Sequence, residues 1–157
     1  MKMAVFSFKS TGKTKEDKLV EQLVQSTTPI GIKTPLRLGA EDGILAMNSN
    51  LADQVHDNFK NLVLTNWGEH LPLYDFGANL RPLTTELVSQ DDFDSQAISR
   101  ISNAVQKWMP FISLETFEST IDRINNKNTA IIRLTVTYNV PSLNVFKKAL
   151  QVTLYAI

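Results

Sequence analysis

Ile131-Ile-Arg-Leu-Thr-Val-Thr-Tyr-Asn-Val140 decides the fold. Ile132, Leu134, Val136, Tyr138 and Val140 recur at every second position, with Arg133, Thr135 and Thr137 between them. Successive side chains of a strand point to opposite faces, so this run predicts a strand with one buried face and one wet face. Upstream, Asn125-Asn-Lys-Asn128 is a natural turn, and Ile112, Leu114 and Thr116 repeat the two-residue spacing beyond it. Downstream, Leu150, Val152, Leu154 and Ala156 alternate with Gln151, Thr153 and Tyr155, which predicts a last strand through Ile157. Three successive strands make a small antiparallel sheet.

A sheet that is apolar on one face needs cover, and two helical patterns supply it. Leu51, Val55, Phe59 and Leu62 fall three or four apart, with Asp53, Gln54, Asp57 and Lys60 on the intervening positions. Asn50 can cap that helix, which is expected to end near Asn66, ahead of Gly68 and Pro72. Ser89 is a plausible cap for the second, with Asp91, Asp92 and Asp94 offsetting the helix dipole in its first turns. Phe93, Ala97, Ile98, Ile101, Ala104, Val105 and Trp108 form its buried stripe, and Pro110 stops it. The fold class is therefore α+β, with two main helices packed on a C-terminal antiparallel sheet.

The remaining sequence divides in two. Residues 1–28 read as an N-terminal arm: an apolar stretch from Met3 to Phe8, a polar run to Lys18, and a short helix around Leu19, Val20, Leu23 and Val24. Residues 29–157 form the α+β domain, opening with Pro29 to Leu38, whose two prolines predict an extended surface connector.

Composition narrows the function classes. The chain has 157 residues with 16 basic and 16 acidic side chains, a balance that provides no general attraction for nucleic acid or an anionic membrane. It has no cysteine, which removes disulfides, thiolate nucleophiles and cysteine-ligated zinc. No apolar run is long enough for a signal-peptide core or a membrane span, so a cytosolic product without nucleic-acid or membrane partners is expected.

The apparent chemical motifs are incomplete. Ser10-Thr-Gly-Lys-Thr14 echoes the end of a phosphate-binding loop, but that motif's first glycine position holds Ser7. Asp75-Phe-Gly77 matches a kinase tripeptide without the catalytic loop or strand lysine. Glu69, His70 and Asp75 could pose as acid, base and second carboxylate for glycoside cleavage, which would require the carboxylates to converge in an open cleft. Ion pairing and capping within a packed loop is the simpler reading. His56 and His70 have no second histidine at ligand spacing, so no metal or cofactor is expected.

One longer pattern is more specific. Leu62-Val-Leu-Thr-Asn-Trp-Gly-Glu-His-Leu-Pro-Leu-Tyr-Asp-Phe-Gly-Ala-Asn-Leu80 resembles the signature of the small baseplate wedge family of contractile phage tails, which is related to a type VI secretion baseplate component. Thr65, Gly68, Glu69, Asp75, Phe76, Gly77 and Leu80 match it in identity and spacing. Ile30 to Pro35 resembles the family's opening segment, and the helix-then-strands order is the same, so the resemblance spans about residues 28–157. His70 replaces the family's arginine and Tyr74 its proline, while Met109-Pro110-Phe111 stands where the family has Glu-Pro-Arg.

The resemblance implies a structural subunit of a tail baseplate, made in the host cytoplasm and located in the virion, with no catalytic role. Its implied partners are the helical core bundle of the wedge, met near Met109, Pro110 and Phe111 through apolar contact, the tail sheath protein, and tube or hub proteins. The family presents a small sheet to which the first sheath ring adds strands, which implies a pairing role for the strand carrying Leu150, Val152, Leu154 and Ala156, or for its neighbour. Physical reasoning agrees, because an edge strand offers unpaired N–H and C=O groups to an arriving strand. A regulatory binding module of the same fold and a muralytic enzyme are the alternatives.

Overall fold

A computed structural model describes residues 29–39, 44–85, 90–123 and 130–156. The N-terminal arm and its short helix, the Ser89 cap, the Asn125 to Asn128 turn and Ile157 lie outside the described residues. Strands β1 (Gly31–Ile32) and β2 (Met47–Asn48) are followed by helices α1 (Leu51–Leu64), α2 (Arg81–Thr85) and α3 (Gln90–Trp108). Strands β3 (Ser113–Arg123), β4 (Ala130–Val140) and β5 (Val145–Ala156) complete the order, with a 3-10 turn at Pro141–Leu143 between the last two.

The three long strands pair antiparallel in the order β3-β4-β5, so the fold is α+β with the expected C-terminal sheet. β4 lies in the centre and is paired on both sides, which leaves β3 and β5 as the sheet edges. Ile132, Leu134, Val136, Tyr138 and Val140 are all buried, as their spacing requires. They meet Phe59, Leu62 and Val63 of α1, Leu80 and Leu83 around α2, and Phe93, Ala97, Ile101 and Val105 of α3 in one core. The helices thus form one layer, with α1 and α2 against β5 and α3 against β3.

Two strands are longer than their spacing predicts. The register of β3 shifts between Leu114 and Thr116, so the inward residues Leu114 and Phe117 stand three apart and break the period. β5 starts at Val145 rather than Leu150, and its first half is disguised by Lys147, whose φ is +53°. The Lys147 N–H donates to Asn139 Oδ1 at 2.6 Å, which holds that irregular start.

The opening segment is more than a connector. β1 pairs antiparallel with β2, and Leu38 bridges to Leu45 beyond them. This small hairpin is fastened to α1 by Asp57, which periodicity assigns to the wet face but which is 8% exposed. Asp57 Oδ2 accepts from the Thr34 N–H at 3.0 Å and from Asn48 Nδ2 at 2.8 Å. Burial pushes its pKa up, but those donors outweigh it and hold the carboxyl below its ordinary value. Asn50 caps α1 as its sequence position predicts, its side chain accepting from the Ala52 N–H at 2.9 Å.

Candidate partner interface

The 65–80 loop begins where α1 stops. Thr65 closes the helix, its N–H donating to the Asn61 carbonyl at 3.0 Å and its hydroxyl to the same oxygen at 2.7 Å. The chain then leaves, turns and returns, because the Ala78 N–H donates to the Leu62 carbonyl and the Asn79 N–H to the Thr65 carbonyl. Gly77 sits at the return with φ +109°, and the Trp67 indole N–H donates to its carbonyl at 3.2 Å. A side chain there would meet the Thr65 carbonyl carbon at 2.7 Å, so the return is built for glycine. Gly68, at φ +84°, donates its N–H to the Tyr74 carbonyl at 2.7 Å and closes the tip.

Glu69 and Asp75 brace this loop. Glu69 accepts from the Asn66 N–H at 2.8 Å and from the Asn66 amide at 3.0 Å, and these bonds hold its carboxyl below the ordinary range. Asp75 pairs with Lys107 of α3, and the hydrogen bond from that ammonium lowers its carboxyl likewise. Lys107 also lies 4.9 Å above the Trp108 ring. A glycosidase acid needs a raised pKa, and neither carboxylate has one.

Seven sequence-predicted residues therefore divide by role. Leu80 is core, while Thr65, Gly68, Glu69, Asp75 and Gly77 shape the loop. Phe76 points outward from it, packing edge-on against Trp108 with ring centroids 5.4 Å apart. Met109 and Phe111 come up beside Trp108, and together with Thr65, His70 and Phe76 they line an open groove of about 510 Å³. The two halves of the family-like signature thus meet on one surface. Met109 is buried, whereas Pro110 and Phe111 are exposed.

Sequence reasoning missed the polar wall of this groove, formed by Asn58 and Asn61. With Thr65 they fall three and four apart along α1, a spacing that aligns them on one helix face. The loop tip beside the groove carries exposed apolar side chains, with Leu71 at 95% and Tyr74 at 73%. Exposed apolar clusters of this kind mark interaction surfaces.

The second candidate surface is the outer edge of β5, which pairs with β4 alone among the described residues. Leu150, Val152 and Ala156 are buried and Leu154 is half-buried, so their side chains serve the core. What β5 offers outward is backbone. From Ala149 to Ala156 it carries no charged residue, whereas β3 carries Glu115, Glu118, Asp122 and Arg123. Natural edges are usually blunted by charge, and this part of β5 is not.

His56, considered above as a metal ligand, has another use. Its Nδ1 lies 2.8 Å from the hydroxyl of Tyr138, which burial pushes up to about 12. The hydroxyl stays protonated, and the imidazole tautomer sets which of the two groups donates. Among the described residues no cluster of three or more His, Cys, Asp or Glu could hold a metal, and no helix is long and apolar enough to cross a membrane.

No protein-family model matches the chain, and no curated protein matches its sequence. Solved structures do match its fold. A chain of the anti-feeding prophage baseplate aligns over 69% of this chain and 82% of its own, at 16% identity and TM-score 0.56. A Geobacter sulfurreducens protein provisionally called a tail lysozyme aligns over 70% and 93%, at 16% identity and TM-score 0.51. A chain of the type VI secretion baseplate complex aligns over 66% and 92%, at 16% identity and TM-score 0.42. The chain thus shares its fold with a chain of the anti-feeding prophage baseplate and with the Geobacter sulfurreducens protein.

Proposed function

We propose that this protein is a structural baseplate subunit of a contractile tail or a related injection machine, linking the wedge to the first sheath ring. The uncharged Ala149–Ala156 stretch of β5 carries the reading, since among the described residues it is a sheet edge with no further strand, in a fold shared with a baseplate protein. A sheath strand adds along Ala149 to Ala156 through main-chain hydrogen bonds. The groove at Phe76, Trp108 and Phe111 receives the helical wedge core through apolar contact, at the place where the family has a charged pair. This function needs no chemistry, in keeping with the engaged and pKa-lowered carboxylates of Glu69 and Asp75. The protein then resides in the virion baseplate.

The test is a pull-down of tagged protein from cells expressing the sheath and wedge proteins of its own system. Gln151 and Thr153 are exposed, so a Gln151→Lys, Thr153→Lys variant should fold normally, lose the sheath protein and keep the wedge. Phe111→Ser should lose the wedge and keep the sheath. Equal recovery of sheath by the edge-charged variant would overturn strand addition at β5, and recovery of neither partner by the native chain would overturn the baseplate role.

A further inference from the structure

The other sheet edge is built differently. β3 pairs with β4 alone among the described residues, and α3 packs against its inward side chains. The Ser119 hydroxyl of β3 donates to Asp94 in the first turns of α3, whereas Ile98 and Ile101, further along the helix, lie beside Phe117 and Leu114. Helix and edge strand thereby enclose an open groove of about 250 Å³. Among the described residues its lining is mostly apolar, from Ile98, Ile101, Leu114, Phe117 and Val136, with Ser102, Thr116 and, at the bulge, Glu115. Such a volume is smaller than the roughly 300–1,000 Å³ of small-molecule pockets. It suits individual side chains.

A strand laid against β3 would lie about 4.7–4.9 Å away, and every second side chain would point toward the α3 side. Main-chain bonds supply affinity in this mode, and a flanking pocket supplies specificity. The other face of the strand would meet the exposed Glu118, which has no ion pair among the described residues, and Asp122, already paired to Arg133. Glu115, which accepts from Asn139, and Asp94, bonded to Ser119, add further negative charge, while β3 itself ends at Arg123. Apolar pocket and acidic rim together define a partner.

We propose that the β3–α3 groove is a second strand-addition site, which takes an extended segment of a partner protein with aliphatic residues at alternate positions and lysine or arginine between them. This site is separate from the β5 edge and does not rest on its assignment.

The probe is the peptide acetyl-Lys-Val-Lys-Val-Lys-Val-Lys-Val-amide, titrated into the full ¹⁵N-labelled chain, beside a version with glutamate for lysine. Amide shifts should concentrate in 98–102 and 113–120, and the lysine peptide should bind at least tenfold tighter. Ile98 is 44% exposed, so Ile98→Glu should fold while placing a polar chain in the groove. It also adds negative charge, so mere electrostatic attraction predicts equal or tighter binding, whereas groove binding predicts a loss of at least tenfold. Shifts confined to 149–156, equal binding of the glutamate peptide, unchanged binding by Ile98→Glu, or no binding would each overturn the proposal. So would sedimentation of the free chain as a dimer that shields β3 and resists the peptide.

Discussion

Replacing Gly77 with alanine should unfold the return of the 65–80 loop at a cost that can be worked from its geometry. Its φ of +109° is a conformation that side chains rarely adopt, and holding one there costs about 1–3 kcal/mol. The new methyl would meet the Thr65 carbonyl carbon at 2.7 Å and the Thr65 Cβ at 3.0 Å, and a backbone carbonyl cannot swing aside like a side chain. Relief requires moving the return, which threatens the bonds from the Ala78 and Asn79 N–H groups and the Trp67 indole, each worth about 0.5–1.5 kcal/mol. Losing two of the three brings the total to about 2–6 kcal/mol, against a whole-domain stability of about 5–15 kcal/mol. At about 2–4 °C per kcal/mol for a chain of this size, Tm should fall by about 4–24 °C. Urea unfolding of the native chain, Gly77→Ala and Gly68→Ala gives the comparison. Gly68 also has positive φ, but its methyl would meet only the Tyr74 ring, at 3.3 Å, so its loss should stay near 1–2 kcal/mol. A Gly77→Ala loss under about 1 kcal/mol, or one no larger than that of Gly68→Ala, would refute the reasoning.

Two further outcomes concern pH. Asp57→Ala should destabilise by about 2–3 kcal/mol, because it leaves the Thr34 N–H and the buried Asn48 amide without their acceptor. The folded pKa of Asp57 lies below its ordinary 3.8, so the unfolded chain takes up the proton first; the stabilisation is present above that value and lost as pH falls through the folded pKa. Acid unfolding of Asp57→Ala should accordingly show a shallower decline there, and an unchanged slope would count against this role. His56 is held below its ordinary 6.5, by burial first and then by Lys148, with Lys60 adding to that effect and Asp57 and Asp53 opposing it. Its contribution is present above pH 6.5 and lost as pH falls through the lower folded pKa, so an NMR titration should place its midpoint below 6.5; a midpoint at or above that value would contradict the burial of the ring beside Lys148.

The parts of this fold that sequence made visible are those where one period runs unbroken. β4 alternates without interruption and α1 and α3 keep an apolar stripe, and all three lie where the spacing places them, except that Leu51 at the start of α1 and Ile98 on the margin of the α3 stripe are exposed, not buried. β3 became illegible past its bulge, and its inward Ser119 is a polar residue satisfied by Asp94, which no hydrophobic pattern reveals. The hairpin of β1 and β2 was hidden because each strand has only two residues, and its hold on the domain is a buried carboxylate that composition reads as surface. The groove was half legible. Its two signature segments lie far apart in sequence and only a family resemblance joined them, while Asn58 and Asn61 became part of it once α1 was placed against Trp108.

The 65–80 loop also shows why residues that look catalytic need not be. Glu69 closes onto Asn66 and Asp75 onto Lys107, so both carboxylates are spent on internal bonds that favour their charged form. Those bonds fix the stem of the loop, and Gly77 and Gly68 set its path. A rigid stem would be unnecessary if Leu71 and Tyr74 at its tip were folded inward, but both are exposed to solvent. Ordering exposed apolar side chains before a partner arrives lowers the entropy lost when it does. On this reading Glu69 and Asp75 act through the posture of their neighbours, so their substitution should appear first in partner affinity, where a hydrolase would lose turnover.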